Sequence, residues 1–120
     1  MTVDERPNYT VVVTQNSRGQ LRPDTDEINL VAAEAPVGEV LRRCQDLGSD
    51  EGYNWVIDTD GSVYELAGWD RSAVGYPDGY AICLVLEHAG DYPEVQRQSL
   101  EWLINQLARK RGITPEIVQP

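Results

Sequence analysis

Residues 52–66, GYNWVIDTDGSVYEL, carry the clearest fold signal in the chain. Two runs rich in β-branched and aromatic residues, 55–58 and 62–66, flank the triplet Thr59-Asp60-Gly61. Asp-Gly is a strong hairpin signal, because both residues accept the positive φ angles of a tight turn. The stretch therefore predicts two antiparallel strands joined by a short turn.

Downstream of the hairpin, the sequence predicts a buried strand and then a long helix. Residues 81–86 (AICLVL) form a continuous apolar run, which is typical of a central strand. Residues 93–111 begin at a proline and end in three basic residues, and Gly112 follows as a stop signal. The apolar stripe of this helix is Leu100, Leu103, Ile104 and Leu107. Val95 and Trp102 project from roughly the opposite side, so the helix is either sandwiched or carries an exposed interaction patch.

Upstream of the hairpin, residues 9–14 (YTVVVT) predict a strand, placed centrally because three valines follow one another. Residues 36–47 predict a helix with Pro36 in its first turn and Gly48 at its end. The polar stretch 17–36 is read as a long surface loop. Together these elements predict a single α/β domain with a mixed central β-sheet flanked by helices.

Composition narrows the classes of function. The chain has 120 residues with 20 acidic and 10 basic side chains, a formal charge of −10. This excess argues against a broad surface for nucleic acid or for an anionic membrane, and it leaves room for a local basic pocket. With no signal peptide and no long apolar run, we expect a cytoplasmic protein whose Cys44 and Cys83 are thiols.

Five segments in consistent order resemble the zinc-dependent N-acetylmuramoyl-L-alanine amidases, a family that includes phage lysozyme-type amidases and peptidoglycan recognition proteins. The hairpin stretch is similar to the family's GYHFVIDRDGTVYEL-type segment. The other four segments are 11–17 (VVVTQNS), 72–75 (SAVG), 81–85 (AICLV) and 92–113. The resemblance implies an amidase-like domain over residues 1–120 and suggests a phage origin, with the host cytoplasm as its location.

The resemblance does not extend to the family's zinc ligands. Thr14 stands where a histidine ends the family's first strand, Asn54 stands at the hairpin-strand histidine, and the sequence stops at Pro120, about where a further histidine would come. Only Tyr53 matches a residue associated with the reaction. Because a catalytic zinc needs about three protein ligands, the resemblance implies a pseudoenzyme that lacks the C-terminal zinc-ligand segment and binds no cofactor.

Relocated catalysis is a third-ranked hypothesis. Cys83 and His88 have opposite strand parity, and Cys44 lies on the core stripe of its helix, so both thiols are expected to be small buried side chains. Five carboxylates are considered for hydrolysis. Asp60 is better explained by the turn and Asp58 by the strand edge, and the other three are Glu65, Asp70 and Glu87.

By the same resemblance, the former substrate groove would be lined by hydroxyl, amide, aromatic and guanidinium groups. They are Thr14, Gln15, Asn16, Tyr53, Asn54, Trp69, Arg71 and Tyr76. The first hypothesis is a pseudo-amidase that binds a small polar ligand or a muropeptide-like cell-wall fragment there. The second is an acidic regulator or inhibitor that binds a host protein through Val95 and Trp102.

Overall fold

A mixed six-stranded sheet with a helix on each face forms the core of the computed structural model, which describes residues 6–12, 17–20, 25–46, 51–76, 78–86, 92–112 and 114–118. In chain order the elements are β1 Tyr9–Val11, β2 Ser17–Gln20, β3 Glu27–Ala33, α1 Val37–Gln45, β4 Trp55–Ile57, β5 Val63–Glu65, β6 Arg71–Ala73, β7 Tyr80–Val85, α2 Glu94–Arg111 and β8 Glu116–Val118. The predicted fold class is confirmed. Within the described residues, neither helix is both long and apolar enough to cross a membrane.

The hairpin and the central strand are confirmed. The sheet has the order β1-β5-β4-β7-β3-β8, and β4 pairs antiparallel with β5 while the other neighbours are parallel. The Asp60 carboxylate accepts the backbone N–H of Ser62 at 2.9 Å, and Gly61 has φ +89°. All six residues of β7 are buried, because helices cover both faces of this strand.

Each helix covers one face of the sheet. On the α2 face, Leu103 and Leu107 pack against β4 and β7 side chains such as Trp55. On the α1 face, Val40 and Cys44 pack against Cys83. The left-handed conformation of Gly112 (φ +64°) ends α2 as predicted, because glycine adopts it without strain.

Two expectations for the N-terminal part are wrong. β1 is an edge strand, and Val11 is 66% exposed, so the run of valines does not mark the centre of the sheet. The stretch read as a surface loop contains all of β2 and β3, and β3 pairs with both β7 and β8. β3 contributes Ile28 to the α2 face and Val31 to the α1 face.

The expected exposed patch on α2 is also wrong. Trp102 is only 9% exposed, and its ring packs edge-to-face against Tyr9 with centroids 5.9 Å apart. Val95 is half-buried, and a Cβ atom built on Gly61 would lie 2.8 Å from its Cγ2. Trp102 is rotated away from the apolar stripe of α2, but its large indole ring reaches the edge strand β1 and is buried there.

Candidate ligand-binding site

A pocket of about 450 Å³ opens at the amino end of β4, and two of the predicted ligand residues line it together. Tyr53 and Tyr76 contribute phenol rings, and Glu51 contributes a carboxylate. We call this the tyrosine pocket. The remaining lining residues are Gly52, Val74 and Gly75.

A tight turn after β6 brings Tyr76 to the pocket. The backbone N–H of Tyr76 donates to the carbonyl of Ala73 at 3.1 Å, and Gly75 between them has φ +85°. A positive φ at the third residue of a four-residue turn favours glycine, because other residues clash there. The sequence of this turn therefore fixes one wall of the pocket.

Glu51 is held in place from two sides. Its Oε1 lies 3.2 Å from Nε of Arg43 on α1, and its Oε2 accepts the Tyr53 hydroxyl at 3.2 Å. These contacts connect the end of α1 to the segment before β4. The pocket thus contains an oriented carboxylate, which the sequence analysis missed. Its position two residues before Tyr53 is the one local signal that could have indicated it.

The groups beneath the pocket are neutral. Burial raises the pKa of the Tyr53 phenol far above its usual range, and the neighbouring Cys83 and Glu51 add to the effect. Burial likewise raises the pKa of both Cys44 and Cys83 to about 12. Both cysteines are completely buried, which confirms their expected role as small core side chains. Tyr53 is therefore available as a hydrogen-bonding phenol and not as a phenolate base.

Asn54 lies in the protein interior, where it links backbone segments, and does not line a groove. Its side chain is completely buried, and Nδ2 donates to the carbonyls of Gly68 at 2.9 Å and Arg71 at 2.7 Å. Its Oδ1 accepts the backbone N–H of Ala81 at 2.8 Å. One amide thus joins the loop after the hairpin to the central strand.

The other predicted groove residues do not gather at the tyrosine pocket. Trp69 lies on the α2 face, where its ring packs edge-to-face against Trp55 at 4.8 Å. Arg71 is exposed at the start of β6 and does not line the pocket. Thr14, Gln15 and Asn16 lie outside the described residues.

The carboxylates considered for hydrolysis are spread over the molecule. Asp60 serves the hairpin turn, and Asp58 accepts the backbone N–H of Thr59 at 2.7 Å. Asp70 forms an ion pair with Arg111 at 2.9 Å, and Glu65 accepts the hydroxyl of Tyr9. Glu87 and His88 lie outside the described residues.

The residues described here do not make a zinc site. Among them, no three histidine, cysteine or acidic side chains lie together in a way that could hold a metal ion. A second pocket of about 460 Å³, at the carboxyl ends of β3, β4 and β7, contains two carboxylates, Glu34 and Asp58. Among the described lining residues, these two carboxylates have no third donor beside them, one fewer than the three protein ligands of a catalytic zinc.

Comparison with known proteins places the chain in a family. The family model described as N-acetylmuramoyl-L-alanine amidase matches residues 5–119. The chain belongs to this amidase family. The comparison with curated proteins found no match to this sequence.

Solved structures agree with the amidase fold. Manduca sexta peptidoglycan recognition protein 1 is 15% identical over 91% of this chain and 78% of its own, with a TM-score of 0.74. The N-acetylmuramoyl-L-alanine amidase LysC from Clostridium intestinale is 15% identical over 94% and 82%, with a TM-score of 0.67. The ectodomain complex of peptidoglycan recognition proteins LCa and LCx with bound tracheal cytotoxin is 18% identical over 83% and 72%, also with a TM-score of 0.67. At these identities the similarity establishes the shared fold.

Proposed function

We propose that this amidase-family protein is a binding protein that holds a muropeptide-like cell-wall fragment in the tyrosine pocket without hydrolysing it. Two comparisons support the ligand class: the family is named for a cell-wall amidase, and one similar structure contains tracheal cytotoxin. The observation that carries the proposal is the convergence of Tyr53, Tyr76 and the oriented Glu51 carboxylate on one pocket.

The chemistry of the pocket suits a sugar joined to a peptide. The Tyr76 hydroxyl can donate to a carbonyl or hydroxyl oxygen, whereas the Tyr53 oxygen accepts from the ligand because its proton goes to Glu51. The faces of the rings contact the apolar faces of sugars. The Glu51 carboxylate accepts from amide N–H groups, and Arg43 and Tyr53 already hold it in one orientation. A few fixed polar groups in a small pocket give a ligand its orientation and its specificity.

The same groups are poorly suited to hydrolysis. Cleavage of an amide needs an activated water or another nucleophile, and zinc supplies the water in amidases of this kind. Tyr53 stays protonated, the nearby thiols are buried with a raised pKa, and Glu51 is already paired with Arg43. These properties support binding without turnover as the function of the pocket.

Isothermal titration with muramyl dipeptide tests the proposal. We expect saturable binding that weakens about tenfold in Tyr53→Phe and in Tyr76→Phe, since each loses one hydrogen bond worth roughly 1–1.5 kcal/mol. Tyr64→Phe is the matched control, because Tyr64 is half-buried on β5 and does not line the pocket. Wild-type affinity in both pocket variants, or no binding by the wild-type protein, would contradict the proposal.

The alternative function, a regulator that binds a host protein through Val95 and Trp102, requires these side chains to be exposed. Trp102 is buried against Tyr9, so it does not present an aromatic anchor to a partner. Nothing in the described residues favours a host-protein interface over the tyrosine pocket.

A further inference from the structure

A separate cleft, of about 580 Å³, lies between the edge strand β1 and the last turns of α2. Its aromatic lining belongs to the core on the α2 face, opposite the side chains around Tyr53. We call it the β1–α2 cleft. Its polar and aromatic lining includes Arg6, Tyr9, Glu65, Trp69, Gln106 and Lys110.

Two cations at this cleft contact the faces of aromatic rings. The guanidinium carbon of Arg6 lies 5.0 Å from the centroid of the Tyr9 ring. The ammonium nitrogen of Lys110 lies 4.3 Å from the centroid of the Trp69 ring. Cation–π contacts at these distances attract both exposed positive charges to the wall of the cleft, and each cation covers one face of its ring.

The cleft also presents polar groups with unused hydrogen-bonding capacity. Glu65 accepts the hydroxyl of Tyr9, which in turn accepts the indole N–H of Trp55 at 2.9 Å. No other described residue donates to the Glu65 carboxylate, and none forms a hydrogen bond with the Gln106 amide. Both side chains are half-buried, so an incoming ligand would meet a carboxylate acceptor and a free amide.

The charge and shape of the cleft select a class of ligand. Arg6 and Lys110 outnumber Glu65, so the cleft carries a positive charge on a chain whose formal charge is −10. A planar aromatic ligand would have to displace Arg6 or Lys110 to stack on Tyr9 or Trp69. A small anion with several hydroxyl groups would use both cations, the carboxylate and the amide at once.

We propose that the β1–α2 cleft is a second binding site, separate from the tyrosine pocket, for a sugar acid. The carboxylate of the sugar pairs with Arg6 and Lys110, and its hydroxyl groups donate to Glu65 and exchange hydrogen bonds with Gln106. The exposed side chain of Val11 and the edge of Trp102 provide apolar contact for the ring carbons.

Intrinsic tryptophan fluorescence is a direct readout of this site. Of the three tryptophans in the chain, Trp69 and Trp102 line the cleft, and Trp55 packs against Trp69. The protein is titrated with N-acetylmuramic acid and with glucuronic acid. N-acetylglucosamine and glucose serve as neutral counterparts that lack the carboxylate.

We expect saturable changes with the acids, at least about tenfold tighter than with the neutral sugars, and weakening about tenfold in Lys110→Gln. Arg109→Gln is the matched control, because it removes a neighbouring exposed charge that does not line the cleft. Tighter binding of N-acetylmuramic acid identifies cell-wall glycan as the source of the ligand, and equal binding identifies sugar acids in general.

Three outcomes would overturn the proposal: no saturable change with either acid, equal binding of acids and neutral sugars, or unchanged affinity in Lys110→Gln. The acids are also titrated into Tyr53→Phe, which should leave their fluorescence change unaltered because Tyr53 does not line the cleft. A response weakened in Lys110→Gln and kept in Tyr53→Phe assigns the acids to the cleft. A response kept in Lys110→Gln and weakened in Tyr53→Phe assigns them to the tyrosine pocket, so failure of the two sites gives different results.

Discussion

Replacing Asn54 by alanine should destabilise the fold by about 4 kcal/mol. The wild-type side chain donates to two backbone carbonyls and accepts one backbone N–H, all within 2.9 Å and completely buried. Alanine leaves the N–H of Ala81 and the carbonyls of Gly68 and Arg71 without this partner. Each buried polar group left unpaired costs roughly 1–3 kcal/mol, and the carbonyls fall at the lower end.

The predicted loss is large enough to measure in two ways. Unfolding entropy of roughly 2.1 cal/mol/K per residue, applied to this chain of 120 residues, converts it to a drop in Tm of about 15 °C. Urea unfolding followed by tryptophan fluorescence gives the free energy directly. Asn29→Ala is the matched control: its half-buried amide donates one hydrogen bond, to the carbonyl of Tyr80 at 3.0 Å, so we expect about 1 kcal/mol.

Binding separates the structural role of Asn54 from a role in the ligand site. Below its unfolding temperature, Asn54→Ala should bind muramyl dipeptide with the affinity of the wild-type protein. A loss of stability under 1 kcal/mol, or a loss of affinity with stability unchanged, would refute the assignment of Asn54 as a link between the post-hairpin loop and β7.

Three further variants or conditions test the packing. Trp102→Ala should cost about 3–5 kcal/mol of stability by urea unfolding, whereas an exposed tryptophan would cost almost nothing. Gly61→Ala should cost about 2 kcal/mol because φ is +89° and the new Cβ would lie 2.8 Å from Val95, and the added substitution Val95→Ala should recover part of the loss. Cys44 and Cys83 should resist a thiol reagent in the native state and react on unfolding. Burial raises both thiol pKa values to about 12, so the unfolded chain releases these protons first. The free energy of unfolding should therefore fall from about pH 9 upward, by at most about 1.4 kcal/mol per pH unit per thiol. A flat profile of unfolding free energy against pH would contradict this.

The elements that the sequence predicts are those with local signals. The Asp60-Gly61 pair marks the hairpin turn, and Gly112 marks the end of α2, because both depend on backbone conformations that few residues adopt. The apolar run of β7 indicates burial on both faces without any knowledge of the partner strands.

The elements that it misses depend on distant partners. In β3, Glu27 and Asn29 interrupt the apolar pattern, and its position inside the sheet follows from pairing with β7 and β8. β1 has a stronger apolar pattern but lies at the edge, where Val11 is exposed. Local hydrophobicity indicates a strand, and the contacts across the sheet determine its position in the order.

The candidate site likewise contains residues that the sequence indicates and residues whose roles depend on distant contacts. Tyr53 and Tyr76 could be named from the family resemblance and do share a pocket, whereas Trp69 lies on the other face of the sheet. The role of Asn54 follows from backbone groups at Gly68 and beyond, which no sequence pattern indicates. The orientation of the Glu51 carboxylate depends on its ion pair with Arg43 of α1, so it became evident only from the fold.

Binding without hydrolysis can be tested in one experiment: equilibrium dialysis of the protein with muramyl dipeptide in the presence of zinc, followed by mass analysis of the ligand. We expect saturable retention of the ligand by the wild-type protein, weaker retention by Tyr53→Phe, and recovery of the intact muramyl dipeptide after prolonged incubation. Release of the free dipeptide by the wild-type protein, abolished in Tyr53→Phe, would show that the tyrosine pocket is catalytic and would contradict binding without turnover.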